Sequence, residues 1–294
     1  MHVGDIIRAE SLVKRFGDFT AVDGIDVNVR RGEIYGFLGP NGAGKTTTIR
    51  MLTTISRPTS GNIRIDGMDV RENLHEIRAR IGVVHQQNSL DRDITARDNI
   101  IYHALLQKVP RKEIAPRLEE LSGAVGLTPF LDRNIIELSG GWRRKVMIVC
   151  TLMHKPSLLF LDEPTAGLDS QSRHALWNLL RLLNKNGTTI FLTTHYIEEA
   201  EELCDRVAII DGGKIRRLGT PTELCEGIGK ITVEYDDEDL LRKFRFFPDR
   251  ESARAFAADL GQGTLPRVRR TTLEDAFLEC TGREVQWDMS KVVL

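Results

Sequence analysis

The amino-acid sequence predicts an α/β fold in which a parallel sheet is covered on both faces. Three observations predict it. An apolar run, Ile34–Leu38, leads into a glycine-rich turn that opens a helix reaching Leu52. Other apolar runs typical of buried strands alternate with helix-length segments, and such alternation indicates parallel strands joined by helices. Between two of these strands, at about residues 93–155, the pattern is helical and polar, which predicts a helical subdomain inserted into the core.

The remaining elements follow in chain order. Two β-rich segments, 6–13 and 21–29, lie ahead of the glycine-rich turn and predict an antiparallel β subdomain, which Ile63-Arg64-Ile65 extends into a hairpin at Asp66-Gly67. The segment 78–84 ends in another β-branched run, core strands are expected at 158–161, 188–193 and 207–210, and helices at about 172–184 and 197–204.

Beyond about residue 226 the composition changes. A strand at 231–235 precedes an acidic run, 236–239, which predicts a solvated loop. Asp249 is the expected N-cap of a helix, and Thr271-x-x-Glu274 has the form of a capping box ahead of another helix. We therefore predict a large α/β domain over residues 1–225 and a small α+β accessory domain over 226–294. Five phenylalanines of this extension must be buried against its own helices, the core domain or a second chain, and we expect the second chain: Phe244, Phe246, Phe247, Phe256 and Phe277.

Composition narrows the possible functions. The net charge of −1 provides no basic field for nucleic acid, so no nucleic-acid partner is expected. Basic clusters at 143–145 and 267–270 are predicted to be solvated helix or loop faces. The four cysteines have no C-x-x-C spacing, which argues against structural zinc and fits a reducing compartment. No apolar run approaches the ~20 residues of a membrane span. If the protein works at a membrane, another chain must supply the spans.

The glycine-rich turn has the chemistry of a phosphate-binding loop. Its residues are Gly39, Pro40, Asn41, Gly42, Ala43, Gly44, Lys45, Thr46 and Thr47, a G-x-x-x-x-G-K-T pattern between a strand and a helix. Glycines let backbone N–H groups point toward an anion, and the helix N-terminus adds partial positive charge. We expect Lys45 to reach the β- and γ-phosphates of a nucleoside triphosphate and the Thr46 hydroxyl to complete a Mg²⁺ shell.

Two further segments fit this site. Asp162 and Glu163 end an apolar strand, where open α/β sheets place their chemistry. Asp162 is therefore a candidate ligand of Mg²⁺, and Glu163 is a candidate for facing the γ-phosphate and orienting the attacking water. Ser139 precedes two glycines and a helix with the apolar stripe Val146, Val149, Cys150 and Met153, and simple helix capping is the alternative to a second anion-binding position.

Together these segments resemble the ATP-binding subunit of an ABC transporter. Residues 39–47 resemble the Walker A motif, 158–162 the Walker B motif and 138–142 the signature motif, and the resemblance covers residues 6–225 in order. It implies a P-loop NTPase core of the ABC ATPase type. Near the C-terminus, 273–278 resembles the end of drug-exporter subunits of the daunorubicin-resistance, ABC-2 type. The resemblance departs at Trp142, where glutamine is usual, and at Phe16, where tyrosine is more common.

The resemblance also implies individual roles. It makes Glu163, His195, Gln86 and Lys45 catalytic, and it adds Gln86 to Thr46 and Asp162 as a metal ligand. It implies that nucleotide is bound by Phe16, which stacks on adenine, by residues 39–47, by Ser139, Gly140 and Gly141, and by Asp169 at a dimer interface. Asp169 also fits a plain helix cap, and His195 an ordinary histidine at a strand end.

The expected protein is therefore an ATP hydrolase that uses ATP and Mg²⁺. One motif set is present, so the resemblance implies a head-to-tail pair with a second copy of the chain. It further implies a separate polytopic permease through which a substrate is exported, at the cytoplasmic face of the membrane. One alternative is a soluble ABC-type ATPase of translation or DNA repair, which would carry two motif sets or a long coiled coil. The other is a small-molecule kinase, which would leave the segment at Ser139 unexplained.

Overall fold

The computed structural model describes residues 4–85, 90–236, 241–260 and 265–282. The strands are β1 (Asp5–Phe16), β2 (Phe19–Arg30), β3 (Ile34–Leu38), β4 (Ser60–Ile65), β5 (Met68–Asp69), β6 (Ile81–Val84), β7 (Leu158–Asp162), β8 (Thr189–Thr194), β9 (Arg206–Asp211), β10 (Lys214–Gly219), β11 (Ile231–Asp236), β12 (Arg242–Phe247) and β13 (Arg267–Arg270). The helices are α1 (Lys45–Leu52), α2 (Leu74–Arg80), α3 (Ala96–Leu106), α4 (Arg111–Ala124), α5 (Gly140–Leu152), α6 (Ser170–Lys185), α7 (Ile197–Leu203), α8 (Pro221–Glu226), α9 (Arg250–Asp259) and α10 (Leu273–Thr281). All the core strands expected from the sequence are present.

The central sheet has the strand order β10-β9-β3-β8-β7-β6. Its strands are parallel except β10, which joins β9 through the tight turn after Asp211. Because β3, β8 and β7 are neighbours with the same direction, the residues that follow them lie at one edge of the sheet. That edge carries the glycine-rich turn, His195 and Glu163.

The two faces of this sheet build two hydrophobic cores. Successive side chains of a strand point to opposite faces. Leu158 and Phe160 of β7 accordingly join a core shared with the antiparallel sheet, while Leu159 and Leu161 join one shared with the helices. All four side chains are fully buried. The predicted parallel sheet covered on both faces is therefore present, and the α/β fold class is confirmed.

The antiparallel subdomain is a four-stranded sheet of order β2-β1-β4-β5. β1 and β2 form a long hairpin whose tip pairs Phe16 with Phe19 around the turn at Gly17. Close to this tip, Ala21 of β2 packs against the glycine-rich turn, as described below.

The helical segment lies between β6 and β7, as expected, and consists of α3, α4 and α5. The side chain of Thr95 accepts from the N–H of Asp98 at the start of α3. α5 contacts both α3 and α4, and its predicted stripe is buried: Val146, Val149, Cys150 and Met153. The helices are therefore held to the core through α5. Among the described residues, no helix has the length and apolar character needed to cross a bilayer.

The C-terminal residues form a third, three-stranded antiparallel sheet of order β12-β11-β13. α9 packs on one face, where Phe256 contacts Tyr235 and Phe247 at 5.5 and 5.3 Å between ring centroids. Asp249 caps α9 as expected, since its carboxylate accepts from the N–H of Ser252. Most of the acidic run falls outside the described residues.

α10 packs on the larger core, where Leu273 and Ala276 are fully buried. Its expected capping box at Thr271 and Glu274 is wrong by one residue: Thr272 is the N-cap, and the carboxylate of Asp275 accepts from its N–H at 2.9 Å. The reason is tertiary. Thr271 continues the sheet, donating its N–H to the carbonyl of Lys230.

The basic cluster at 267–270 is also not a solvated helix or loop face. It is strand β13, which pairs with β11. The guanidinium of Arg269 donates to both carboxylate oxygens of Asp275, at 2.6 and 2.8 Å, and also contacts Glu234. Asp275 is 1% exposed, and Arg269 supplies the charge that compensates it.

Candidate active site

The glycine-rich turn depends on two glycines that no other residue replaces without strain. A Cβ on Gly39 would lie 2.4 Å from the carbonyl oxygen of Ile210, and one on Gly44 would lie 2.6 Å from that of Ala21. Gly44 also has a φ of 104°, in the left-handed region that favours glycine. The turn is thus wedged between the central sheet and the antiparallel sheet, which holds its backbone ahead of α1.

Lys45, the first residue of α1, turns back over this loop. Its Nζ donates to the carbonyls of Gly39 at 2.7 Å and Pro40 at 3.1 Å, and it lies 3.2 Å from Oε1 of Glu163. The side chain is 5% exposed. Burial lowers the pKa of Lys45, and the charge of Glu163 opposes that effect. The buried Lys45 ammonium therefore lies where phosphate oxygens of a bound nucleotide can replace these protein oxygens as its hydrogen-bond partners.

Glu163 follows β7 in an unusual backbone conformation. Its φ is 47°, a left-handed value that costs a non-glycine residue energy and is common at functional sites. Its N–H is held by the carbonyl of Thr193 on the neighbouring strand, at 3.1 Å. This turn directs the carboxylate back over the sheet edge, between Lys45 and His195.

His195 comes directly after β8 and completes a row of polar groups with Glu163 and Lys45. Its Nδ1 lies 2.9 Å from Oε2 of Glu163. The His195 imidazole, and after it the ammonium of Lys45, hold the pKa of Glu163 below its usual range against the opposing effect of burial. The row Lys45–Glu163–His195 is thus an ionised carboxylate between two nitrogen groups, at the carboxyl ends of three adjacent strands.

Asp162 and Thr46 supply oxygens of the kind that Mg²⁺ prefers. Oδ1 of Asp162 accepts from the hydroxyl of Thr193 at 2.5 Å and lies 3.5 Å from the Thr46 hydroxyl. Asp162 is 3% exposed. Mg²⁺ is usually held by one or two protein oxygens together with waters and substrate phosphates, so this pair fits the ion. Gln86, the third expected ligand, lies outside the described residues.

Ser139 and Asp169 lie at the starts of two neighbouring helices. Ser139 caps α5 and Asp169 caps α6, where its carboxylate accepts from the N–H of Ser172 at 2.9 Å. A Cβ on Gly141 would lie 2.8 Å from the Ser172 hydroxyl, so Gly141 permits the close approach of these helix starts. Within the described parts of the chain, no hydrogen bond or ion pair joins Ser139 or Asp169 to Lys45.

The two aromatic residues singled out in the sequence differ in burial. Phe16 is 56% exposed at the hairpin tip, with the Lys14 ammonium 5.1 Å from its ring centroid. Trp142 is half-buried and packs on Phe130 with 4.1 Å between ring centroids. The Phe16 ring is therefore available to a ligand, whereas Trp142 anchors α5 to the helices beside it.

Arg144 was expected on a solvated face, and this expectation is wrong. It is 8% exposed, because the turn of α5 that carries it faces the ends of β6 and β7. Its guanidinium donates to the carbonyl of His85 at 2.6 Å and to that of Asp162 at 3.1 Å. Burial lowers the pKa of Arg144 to about 10. The neighbouring basic residues in the sequence gave no signal that one of the three points inward.

Comparisons with known proteins place this site in a family. A family model described as ABC transporter matches residues 22–166, and one described as an AAA domain matches 138–199. The Nod factor export ATP-binding protein I of Cupriavidus metallidurans is 38% identical over 299 residues, which cover 96% of this chain and 99% of that protein. The chain belongs to the ATP-binding proteins of ABC transporters.

Other members of the ABC family agree with this placement. The daunorubicin/doxorubicin resistance ATP-binding protein DrrA of Streptomyces peucetius is 41% identical over 87% of this chain and 76% of its own length. The structure of cbiO1 from Clostridium perfringens, part of the ABC transporter complex cbiONQ, has a TM-score of 0.70 at 32% identity, covering 75% of this chain and 90% of that one.

A further ABC structure, a dimeric post-hydrolysis state of the cassette MJ0796 bound to ADP and Pi, has a TM-score of 0.66 at 27% identity and covers 73% of this chain and 98% of that one. The predicted ABC family, the ABC ATPase fold and the ATPase activity are confirmed, and ATP is the nucleotide.

Proposed function

We propose that this ABC protein powers the export of a substrate through a separate membrane-spanning subunit. Relatives that align over most of the chain are named for Nod factor export and for daunorubicin resistance, which supports export as the direction. Since no described helix can span a bilayer, the translocation path belongs to a partner, a polytopic permease. The protein then works at the cytoplasmic face of the membrane, held there by the permease.

Within one chain, the row Lys45–Glu163–His195 carries the chemistry. Lys45 and the N–H groups of residues 39–47 bind the β- and γ-phosphates, and Phe16 stacks on adenine. Glu163, ionised and held at 3.2 Å from Lys45, orients the attacking water, while His195 contacts the γ-phosphate. Gln86 adds a contact to the water or the metal. The observation that carries this assignment is the convergence of three strand ends on one buried ionised carboxylate.

Mg²⁺ is the metal that the oxygens of Thr46 and Asp162 would hold, together with Gln86. When bound, it neutralises charge on the β- and γ-phosphate oxygens. The chain's own contribution is to fix the position of the Asp162 carboxylate, which the Thr193 hydroxyl does at 2.5 Å.

The complete site requires two chains arranged head to tail. Ser139, Gly140, Gly141 and Asp169 lie at the starts of α5 and α6, apart from the contacts that Lys45 makes. In the pair, these residues close over the nucleotide held by residues 39–47 of the other copy. The dimeric cassette MJ0796 supports pairing of this kind. Residues 226–294 form an accessory domain that regulates or tethers the pair.

Capture from membranes tests the transport role. The tagged Glu163→Gln variant, expressed in its host and solubilised with detergent in the presence of Mg-ATP, is expected to retain a polytopic membrane protein in about equal amount. Lys45→Ala, which cannot close on ATP, is the matched control and should retain less of it. If Glu163→Gln hydrolyses ATP slowly, forms dimers and still recovers no membrane protein, the chain is a soluble ABC-type ATPase and the transport proposal is wrong.

A further inference from the structure

Arg144 is a buried cation that none of the roles proposed above uses. It lies on α5, five residues after Ser139, and is 8% exposed. Asp162 and Glu199 are the carboxylates whose charges act on it. Within the described residues, however, its guanidinium donates to two backbone carbonyls and to neither of these carboxylates. Burying an arginine costs free energy that an apolar residue would avoid, so its retention calls for a reason.

The two carbonyls belong to adjacent strand ends that both lead into the proposed site. One is that of Asp162, the last residue of β7, whose side chain faces Thr46. The other is that of His85, the residue immediately before Gln86. A guanidinium presents several N–H donors in a rigid fork, so one side chain can fix the spacing of two strand ends, as a flexible ammonium cannot.

The start of α5, which carries Ser139 and Gly141, belongs to the same helix as Arg144. About one and a half helical turns, on the order of 8 Å, separate Ser139 from Arg144, and a helix transmits displacement over that length as a rigid body. Gly141 lies against α6, and the apolar stripe of α5 packs on the core. The first turn of α5 and Arg144 are therefore parts of one rigid helix. A movement at Ser139–Gly141 is therefore carried to the backbone of Asp162.

We propose that Arg144 is a positioning residue that couples the start of α5 to the backbone of Asp162 and to the carbonyl of His85. Closure of Ser139–Gly141 on the nucleotide of the partner chain then adjusts the metal-binding carboxylate of the same chain. This inference rests on the proposed shared site. Arg144 acts through Asp162 and does not touch the substrate.

Three substitutions separate the donors of Arg144 from its charge and its bulk. Arg144→Met keeps length and removes every donor, and Arg144→Gln keeps a short amide donor without charge. Arg144→Lys keeps the charge but lacks the rigid planar fork that holds two carbonyls at a fixed spacing. The measurements are the Kd for ATP in EDTA, the Kd in Mg²⁺, the Mg²⁺ concentration that gives half-maximal turnover, kcat, and the Tm.

Arg144→Met is expected to bind ATP in EDTA within about threefold of the unmodified protein, since Lys45 and its loop are untouched. Its half-saturating Mg²⁺ concentration should rise roughly tenfold, and kcat should fall by about 10- to 100-fold, as for loss of a group that orients a metal ligand. The half-saturating Mg²⁺ concentration and the kcat of Arg144→Lys should lie between those of Arg144→Met and those of the unmodified protein. If Arg144→Met does not fold, the half-saturating Mg²⁺ concentrations of Arg144→Lys and Arg144→Gln are compared with that of the unmodified protein. An unchanged value in both variants would then overturn the proposal.

Arg117→Met is the matched control. Arg117 is a half-buried arginine whose guanidinium donates to the carbonyl of Met153 at 2.5 Å, at the far end of α5 from the proposed site. Its loss should lower the Tm without changing the Mg²⁺ requirement. Equal Mg²⁺ dependence in Arg117→Met and Arg144→Met, or an unchanged Mg²⁺ requirement in Arg144→Met, would overturn the proposal. If the shared site itself is wrong, mixing Lys45→Ala with Ser139→Arg chains will restore no ATPase activity, a separate result.

Discussion

Glu163→Gln tests the chemistry of the site most directly, because the change removes one charge and keeps the shape. Glu163 lies 3.2 Å from the ammonium of Lys45, and both side chains are almost wholly buried. In the variant without ATP, the Lys45 ammonium keeps its hydrogen bonds to the carbonyls of Gly39 and Pro40 but loses its ionised carboxylate partner. The variant should therefore have a lower free energy of unfolding without ATP. The negative charge of the ATP phosphates should stabilise it by more than it stabilises the unmodified protein.

The size of the effect follows from these contacts. A hydrogen bond to a charged group contributes about 1.5–3 kcal/mol, and an amide oxygen replaces part of it, so we expect a loss of about 2 kcal/mol in the free energy of unfolding without ATP. That loss lowers the Tm by on the order of 4 °C. If ATP restores the whole amount, the affinity for ATP rises by up to about 30-fold. Turnover should fall by about 100- to 1,000-fold, because the group that orients the water is neutral.

Thermal unfolding with and without ATP, equilibrium titration of ATP, phosphate release and size-exclusion chromatography measure these quantities. The expected result is a lower Tm without ATP, a larger ATP-induced rise, slow hydrolysis and an ATP-dependent dimer. Glu33→Gln is the control: Glu33 is 5% exposed, lies 3.1 Å from Arg206 and precedes β3, at the opposite end from the glycine-rich turn. It should lose stability with unchanged ATP affinity. Normal turnover in Glu163→Gln would refute the reasoning and make His195 the next candidate.

Further expectations concern the loop, the pair and the accessory domain. Lys45→Ala should fold, weaken ATP binding by at least tenfold and nearly abolish hydrolysis; hydrolysis at the unmodified rate would remove the phosphate-loop assignment. Mixing Lys45→Ala with Ser139→Arg chains should restore part of the ATPase rate, because one of the two shared sites is then intact, whereas full activity in a strictly monomeric preparation would contradict sharing. Phe244→Ser combined with Phe246→Ser, on the sheet face opposite α9, should abolish dimers seen without nucleotide by sedimentation velocity. An unchanged dimer, or a protein already monomeric, would end the tethering hypothesis.

Local signals account for the parts that the sequence predicts well. The strand, glycine-rich turn and helix around Lys45 are specified by neighbouring residues, so their order and bounds could be read directly. The Asp249 cap of α9 is equally local. The capping box of α10 was misplaced by one residue because pairing in the third sheet extends through Thr271, and that pairing involves Lys230, 41 positions away along the chain.

Long-range packing determined what could not be predicted. The run at 143–145 has three basic side chains in a row, and only the position of α5 against β6 and β7 shows that Arg144 points inward. The role of Thr193 is similar: its hydroxyl reaches Asp162 because β8 and β7 are neighbours in the sheet. The order of strands in a sheet is a property of the whole fold, so residues one strand away from the motifs carry no signal of their own.

The geometry divides the chain into two half-sites with one buried link between them. The strand ends of β3, β8 and β7 gather Lys45, His195 and Glu163, whereas the starts of α5 and α6 carry Ser139 and Asp169. In the proposed head-to-tail pair, the two half-sites of one chain serve different nucleotides, and coupling them would make hydrolysis at one site depend on closure at the other. The guanidinium of Arg144, on the carbonyl of Asp162 at 3.1 Å, is a buried polar contact between α5 and the strand end that leads into Glu163. Measuring the Mg²⁺ requirement therefore tests coupling within one chain, while mixing mutant chains tests coupling between two.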